Sequence, residues 1–179
     1  TTWSTKAYQD FLHADNMTDR MQALTALAHN HLPQAASALS HFYTMFKQDD
    51  LVIDKWFALQ ASTPDQEGDV LPKVRQLLLH PDFHIRNPNR ARSLLSAYCA
   101  NPSAFHRRDA SGYVFWSERV LELDAFNPQV AARLARALDR WRKLSQPYQS
   151  AAQEALRRVA AKSDLSADVR EVISSALGE

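Results

Sequence analysis

Cysteine is almost missing from the 179 residues: Cys99 stands alone, which excludes an internal disulfide and any metal site built from several thiolates. Glycine occurs only three times, at Gly68, Gly112 and Gly178, so there is no glycine-rich loop to cradle a phosphate. Alternating runs of β-branched residues are absent, leaving strands no obvious home. No apolar stretch approaches the roughly 20 residues of a bilayer-spanning helix, which excludes a transmembrane segment. The opening Thr1-Thr2-Trp3-Ser4 has neither an initiator Met nor a charged head before an apolar run. No secretion signal is expected there, and the chain is expected to be a fragment or a processed product of something longer. Charge of one sign is not in excess either: 21 Lys and Arg face 20 Asp and Glu, for a net +1.

Hydrophobic residues make up 45 % and charged residues 23 %, the balance of an ordinary globular protein. A chain of this length buries roughly 70 % of the surface its unfolded form exposes, so residues 1–179 are expected to form one domain around one core. Ala, Leu, Gln and Arg dominate, which argues for helix throughout. A first short helix is expected over 4–13, with Tyr8, Phe11 and Leu12 inward. Asp15-Asn16 then precedes Met17, Met21, Leu24, Ala28 and Leu32, spaced for one helical face. Further helices are expected over 34–47 and 51–61. Turn formers over 62–68 predict a loop, followed by a helix carrying Val70, Val74, Leu77 and Leu78. Three Asn-Pro dipeptides, Asn87-Pro88, Asn101-Pro102 and Asn127-Pro128, read as helix starts: Asn caps a free amide, and Pro at the first helical position gives up a donor that has no partner anyway. After the last, Val130, Leu134, Leu138 and Trp141 predict one inward stripe. Helices over 147–162 and 166–177 complete the chain. About ten short antiparallel helices joined by short loops predict an all-α, solenoid-like superhelical array of the ARM/HEAT kind, although no fixed-period sequence repeat is visible.

Little catalytic chemistry is legible. His29-Asn30-His31 and His80-Pro81-Asp82-Phe83-His84 invite a metal, but i and i+2 side chains diverge on a helix, and Pro81 breaks the second pair while no Glu accompanies it. Exposed or capping histidines, and no metal site, are therefore expected. Cys99 reads as an inert core thiol. Ser111-Gly112-Tyr113 lacks the preceding strand of a nucleophile elbow and reads as a turn, with Asp109 or Ser111 capping the next helix. Carboxylates are scattered, so no acid/base pair and no catalytic residue is assigned.

The charges are unevenly placed: residues 86–143 hold eleven Lys or Arg against five Asp or Glu. Arg133, Arg136 and Arg140 fall on one predicted helical face, and Arg90 and Arg92 open another helix. Such a face is either simply solvated or recognises carboxylate or phosphate, which the guanidinium fork matches. Nucleic acid is not the expected partner, because the chain is near neutral and the stripe lacks interleaved aromatic residues.

Six local strings, in order and in register, resemble the C-terminal helical domain of the bacterial aminopeptidase N family. They are Asn16-Met17-Thr18-Asp19-Arg20, Asp54-Lys55-Trp56-Phe57-Ala58-Leu59-Gln60-Ala61, Asn87-Pro88-Asn89-Arg90-Ala91-Arg92-Ser93-Leu94, Asn101-Pro102-Ser103-Ala104-Phe105-His106, Ser111-Gly112-Tyr113, and Asn127-Pro128-Gln129-Val130-Ala131-Ala132-Arg133-Leu134. The resemblance implies one domain of a cytoplasmic zinc metalloaminopeptidase, a gluzincin that removes N-terminal residues from peptides. Its thermolysin-like catalytic domain binds zinc through a His-Glu-x-x-His motif and a later Glu, and its C-terminal domain covers the active site and walls an interior chamber. The implied partners are the N-terminal and catalytic domains of the same polypeptide, and peptide substrate in the intact enzyme. Neither the zinc motif nor the exopeptidase Gly-x-Met-Glu-Asn motif occurs here, so this chain by itself is expected to hold no cofactor and to hydrolyse nothing. By motif, the family's two chamber-wall arginines correspond to Arg92 and Arg133. One departure is Ala110, where the family often has Gly. A competing reading keeps the same fold but makes the chain a free-standing helical scaffold for a protein partner.

Overall fold

The structure is a computed structural model that describes residues 2–179. Among the described residues there are eleven α-helices, two 3-10 turns and no strand. The helices are α1 (Thr2–His13), α2 (Met17–His29), α3 (Ala35–Phe46), α4 (Asp50–Ala61), α5 (Val70–Leu78), α6 (Pro88–Cys99), α7 (Pro102–Phe105), α8 (Ser111–Asp124), α9 (Pro128–Ala135), α10 (Tyr148–Ala160) and α11 (Ala167–Leu177). They stack in two layers. One layer runs α2, α4, α6, α9, α11, each packed on the next; the other holds α1, α3, α5, α7, α8 and α10, paired across to it. The expected all-α solenoid is therefore the fold. No helix among the described residues is long and apolar enough to cross a membrane.

Five helix starts follow from capping chemistry. The side chains of Asn16, Asp49, Asn87, Asn127 and Ser166 each accept a backbone amide of the first turn, as orphan N–H groups require. All three Asn-Pro pairs begin helices, but Asn101 works differently. It is buried, and its amide donates to the carbonyls of Ala61 (3.0 Å) and Thr63 (2.7 Å), tying the end of α4 to α7. Asp109, as expected, accepts from the Ser111 amide (3.0 Å) and hydroxyl (2.6 Å). Between them Ala110 takes the left-handed conformation at φ 65°, which suits the Gly of the family pattern better than a residue with a β-carbon. Gly112 is required for contact: a β-carbon there would lie 2.0 Å from the Phe105 carbonyl oxygen, so α7 could not lie this close to α8.

The stripe from Val130 to Trp141 is not one helix. α9 ends at Ala135 and gives way to 3-10 turns at Arg136–Leu138 and Trp141–Lys143. Where the helix tightens, the Leu134 carbonyl accepts the indole N–H of buried Trp116 at 2.9 Å, a donor that competes with the next turn's amide. Leu138 and Trp141 still reach the core. Trp141 donates to the Ala176 carbonyl (2.9 Å), and Arg142 donates to the carbonyls of Ala176 (2.6 Å) and Leu177 (2.7 Å), satisfying the open end of α11. One continuous hydrophobic cluster links α1 to α11.

Candidate functional site

On a helix, residues two apart point in different directions, and this separates Arg90 from Arg92. Arg90 continues the buried i, i+4, i+8 row formed with Leu94 and Tyr98. Its guanidinium is 2.5 Å from an Asp54 oxygen and 3.4 Å from Asp50, donates to the Asp82 carbonyl, and lies 5.2 Å from the centre of the Phe57 ring. Arg90 is thus a buried knot between α4, the 79–87 loop and α6, and does not belong to an exposed basic face. The i, i+4 spacing from Leu94 was the signal for it; the acceptors across the fold had none.

Arg92 turns the other way, onto the surface, and donates to the Asn89 side-chain oxygen at 3.0 Å. It lines a cleft of about 110 Å³ between α6 and α9, and Arg133, from α9, lines the same cleft. Leu95, Leu123, Val130 and Leu134 make its apolar floor, Asn89 and Ser96 add polar groups, and no carboxylate lines it. Arg133 has no hydrogen-bond or ion-pair partner among the described residues. Two arginine side chains lining one cleft with apolar residues, and with no carboxylate among the lining, carry the guanidinium forks that can bind a carboxylate with bidentate hydrogen bonds. The other two arginines of the expected face do not join them. Arg136 lies in the 3-10 turn and pairs with Asp139 at 3.6 Å, and Arg140 lies beyond that turn on the surface.

The histidines have structural surroundings. His31 is 2.8 Å from the Pro64 carbonyl, and His29 is 3.5 Å from the Ser62 hydroxyl. His80 accepts the Asp82 amide (3.0 Å) as a local cap and also packs its ring among Tyr43, Trp56 and Phe57, at centroid distances of 5.0, 5.3 and 5.5 Å. Among the described residues, no group of three or more His, Cys, Asp or Glu side chains converges to hold a metal.

Other titratable groups lie in or against the core and away from the cleft. Burial pushes the Cys99 and Tyr98 groups well up, and Tyr113 up to about 12. The Tyr113 hydroxyl and His106 Nδ1 share a hydrogen bond of 2.6 Å, and burial holds the His106 pKa below its ordinary value, so the neutral ring is favoured. A hydrogen bond to Asp82 raises Tyr43.

A family model described as a domain of unknown function (DUF3458_C) with ARM repeats matches residues 1–178. The chain belongs to this ARM-repeat family. Aminopeptidase N of Escherichia coli (strain K12) is 41 % identical over 170 residues, which is 94 % of this chain and 19 % of that protein. Aminopeptidase N of Caulobacter vibrioides is 39 % identical over 92 % of this chain and 19 % of its own length. A solved structure, Legionella pneumophila aminopeptidase A in complex with aspartic acid, superimposes with a TM-score of 0.91 at 30 % identity, covering 98 % of this chain and 20 % of that one. This ARM-repeat chain therefore spans about a fifth of the length of the relatives it matches, and its likeness is to one accessory, C-terminal domain of those aminopeptidases.

Proposed function

We propose that this ARM-repeat domain is the accessory wall of a zinc aminopeptidase: it covers the catalytic domain of the same polypeptide, encloses the substrate chamber and limits entry to peptides. Arg92 and Arg133 bind the C-terminal carboxylate of the peptide and so help to draw in and position it while its N-terminus is cut elsewhere. The observation that carries the reading is their meeting in one carboxylate-free cleft, within a chain 41 % identical over 94 % of its length to part of an aminopeptidase N. The donors present do not fit a zinc site: His29 faces the Ser62 hydroxyl, His31 lies between the Pro64 carbonyl and Asp69 (3.8 Å) with no third ligand beside them among the described residues, and His80 is engaged with the Asp82 amide. No step of bond cleavage is assigned to this chain, and the zinc belongs to the rest of the parent enzyme.

Replacing both Arg92 and Arg133 by Gln in the intact enzyme is expected to raise KM for peptides with a free C-terminal carboxylate by about tenfold or more, the worth of a lost charged hydrogen bond. Amidated peptides, which lack that charge, are expected to be unaffected, and kcat is expected to stay close to its starting value. Equal KM changes for acid and amide peptides would remove the carboxylate role.

A further inference from the structure

A second basic cleft, of about 540 Å³, lies between the end of α5, the 79–87 loop and α8, and it shares no lining residue with the Arg92/Arg133 cleft. We propose that it docks a polypeptide segment presenting a carboxylate beside an aliphatic or aromatic side chain. This inference stands whether or not the chamber-wall reading holds.

Three guanidinium groups line the cleft, and aromatic rings hold all three in place. Arg75 and Arg119 both lie 5.3 Å from the centre of the Phe115 ring, and Arg86 lies 4.5 Å from that of Phe126. Guanidinium groups pinned in this way lose little further freedom on meeting an anion. Their own acceptors are few. Glu122 is the one carboxylate lining the cleft and is paired to Arg119 at 2.9 Å, and Glu118, outside the lining, lies 3.8 Å from the same guanidinium. Arg119 still buries its Nε–H without a partner, and Arg75 and Arg86 have no hydrogen-bond or ion-pair partner among the described residues.

Apart from the exposed His84, the remaining wall is apolar. Leu78, Phe83 and Ile85 line it, and Leu79, at the end of α5, is 86 % exposed, the most exposed of the large hydrophobic side chains. A bare inorganic anion would leave that wall uncovered, whereas a peptide segment with an acidic and an apolar side chain matches both parts. Single-stranded nucleic acid fits less well, since base stacking needs free aromatic faces and guanidinium groups already lie over Phe115 and Phe126.

The test is calorimetric titration of the chain with the capped peptide acetyl-Leu-Glu-Phe-Asp-amide, with backbone NMR shifts to locate binding. The expected result is saturable binding with shifts confined to residues around 75–86 and 115–122. It should weaken at least about tenfold for the Gln/Asn version of the peptide, for a version with Gly in place of Leu and Phe, and for R86Q. R75Q should act likewise; Arg75 and Arg86 are both exposed and pack on different rings, Phe115 and Phe126, so either variant keeps the test valid if the other unfolds. R158Q, on exposed α10 surface, should leave binding unchanged. No binding, equal binding of the uncharged peptide, or equally tight binding of inorganic phosphate or an oligothymidylate would each overturn the proposal.

Discussion

Removing Arg90 should cost far more stability than removing Arg92, two residues away on the same helix. The Arg90 side chain is 4 % exposed and its partner Asp54 13 %, so R90M would strand a carboxylate in a largely dry site and also free the Asp82 carbonyl. Breaking one side of such a pair costs about 3–5 kcal/mol. For a domain of this size, about 2–4 °C accompanies each kcal/mol, so a fall in Tm of roughly 6–20 °C is expected. Asp50 is 87 % exposed, and D50N should cost no more than about 1 kcal/mol. R92A should stay within about 0.5 kcal/mol, as an exposed side chain does. The double variant R90M/D54L, which removes both charges, should recover much of the R90M loss. Urea unfolding followed by far-ultraviolet circular dichroism measures all four. An R90M loss below about 1 kcal/mol, or one no larger than that of R92A, would refute the assignment of Arg90 to structure and Arg92 to the surface cleft.

Two further outcomes are expected from local geometry. Ala110→Gly relieves a left-handed residue and should raise stability by up to about 1 kcal/mol in the same urea assay; destabilisation would show that the turn is not strained. Because burial lowers the His106 pKa, the unfolded chain takes up that proton first. The contribution of His106 is therefore full above the ordinary value of about 6.5 and declines as pH falls through it toward the folded-state pKa. H106Q should flatten this slope in urea midpoints measured across that range, and an unchanged slope would exclude His106 as its source.

The fold was legible because capping and periodicity are local. Asn16, Asn87 and Asn127 cap where their sequence context says they should, and the apolar rows of α2, α4 and α11 need no distant information. What sequence missed is set by contacts across the layers. Asn101 turns its amide to the carbonyls of Ala61 and Thr63, and Trp116 reaches the Leu134 carbonyl where α9 tightens; neither partner is near in sequence. The arginines divide in the same way. The motif alone singled out Arg92 and Arg133, and the packing of α6 beside α9 puts both on one cleft, while Arg90, grouped with Arg92 in the basic stretch, is core, and its spacing from Leu94 was the one local sign of it. The aromatic props under Arg75, Arg86 and Arg119 left no local pattern at all.

The most direct measurement is to mix the purified chain with the separately produced remainder of the proposed parent aminopeptidase and assay an alanyl chromogenic amide with and without a chelator. The account predicts a complex between the two and chelator-sensitive hydrolysis that is restored or strongly increased on mixing, with none from this chain alone. A chain that neither associates with that remainder nor changes its activity would contradict the account and favour a free-standing helical scaffold.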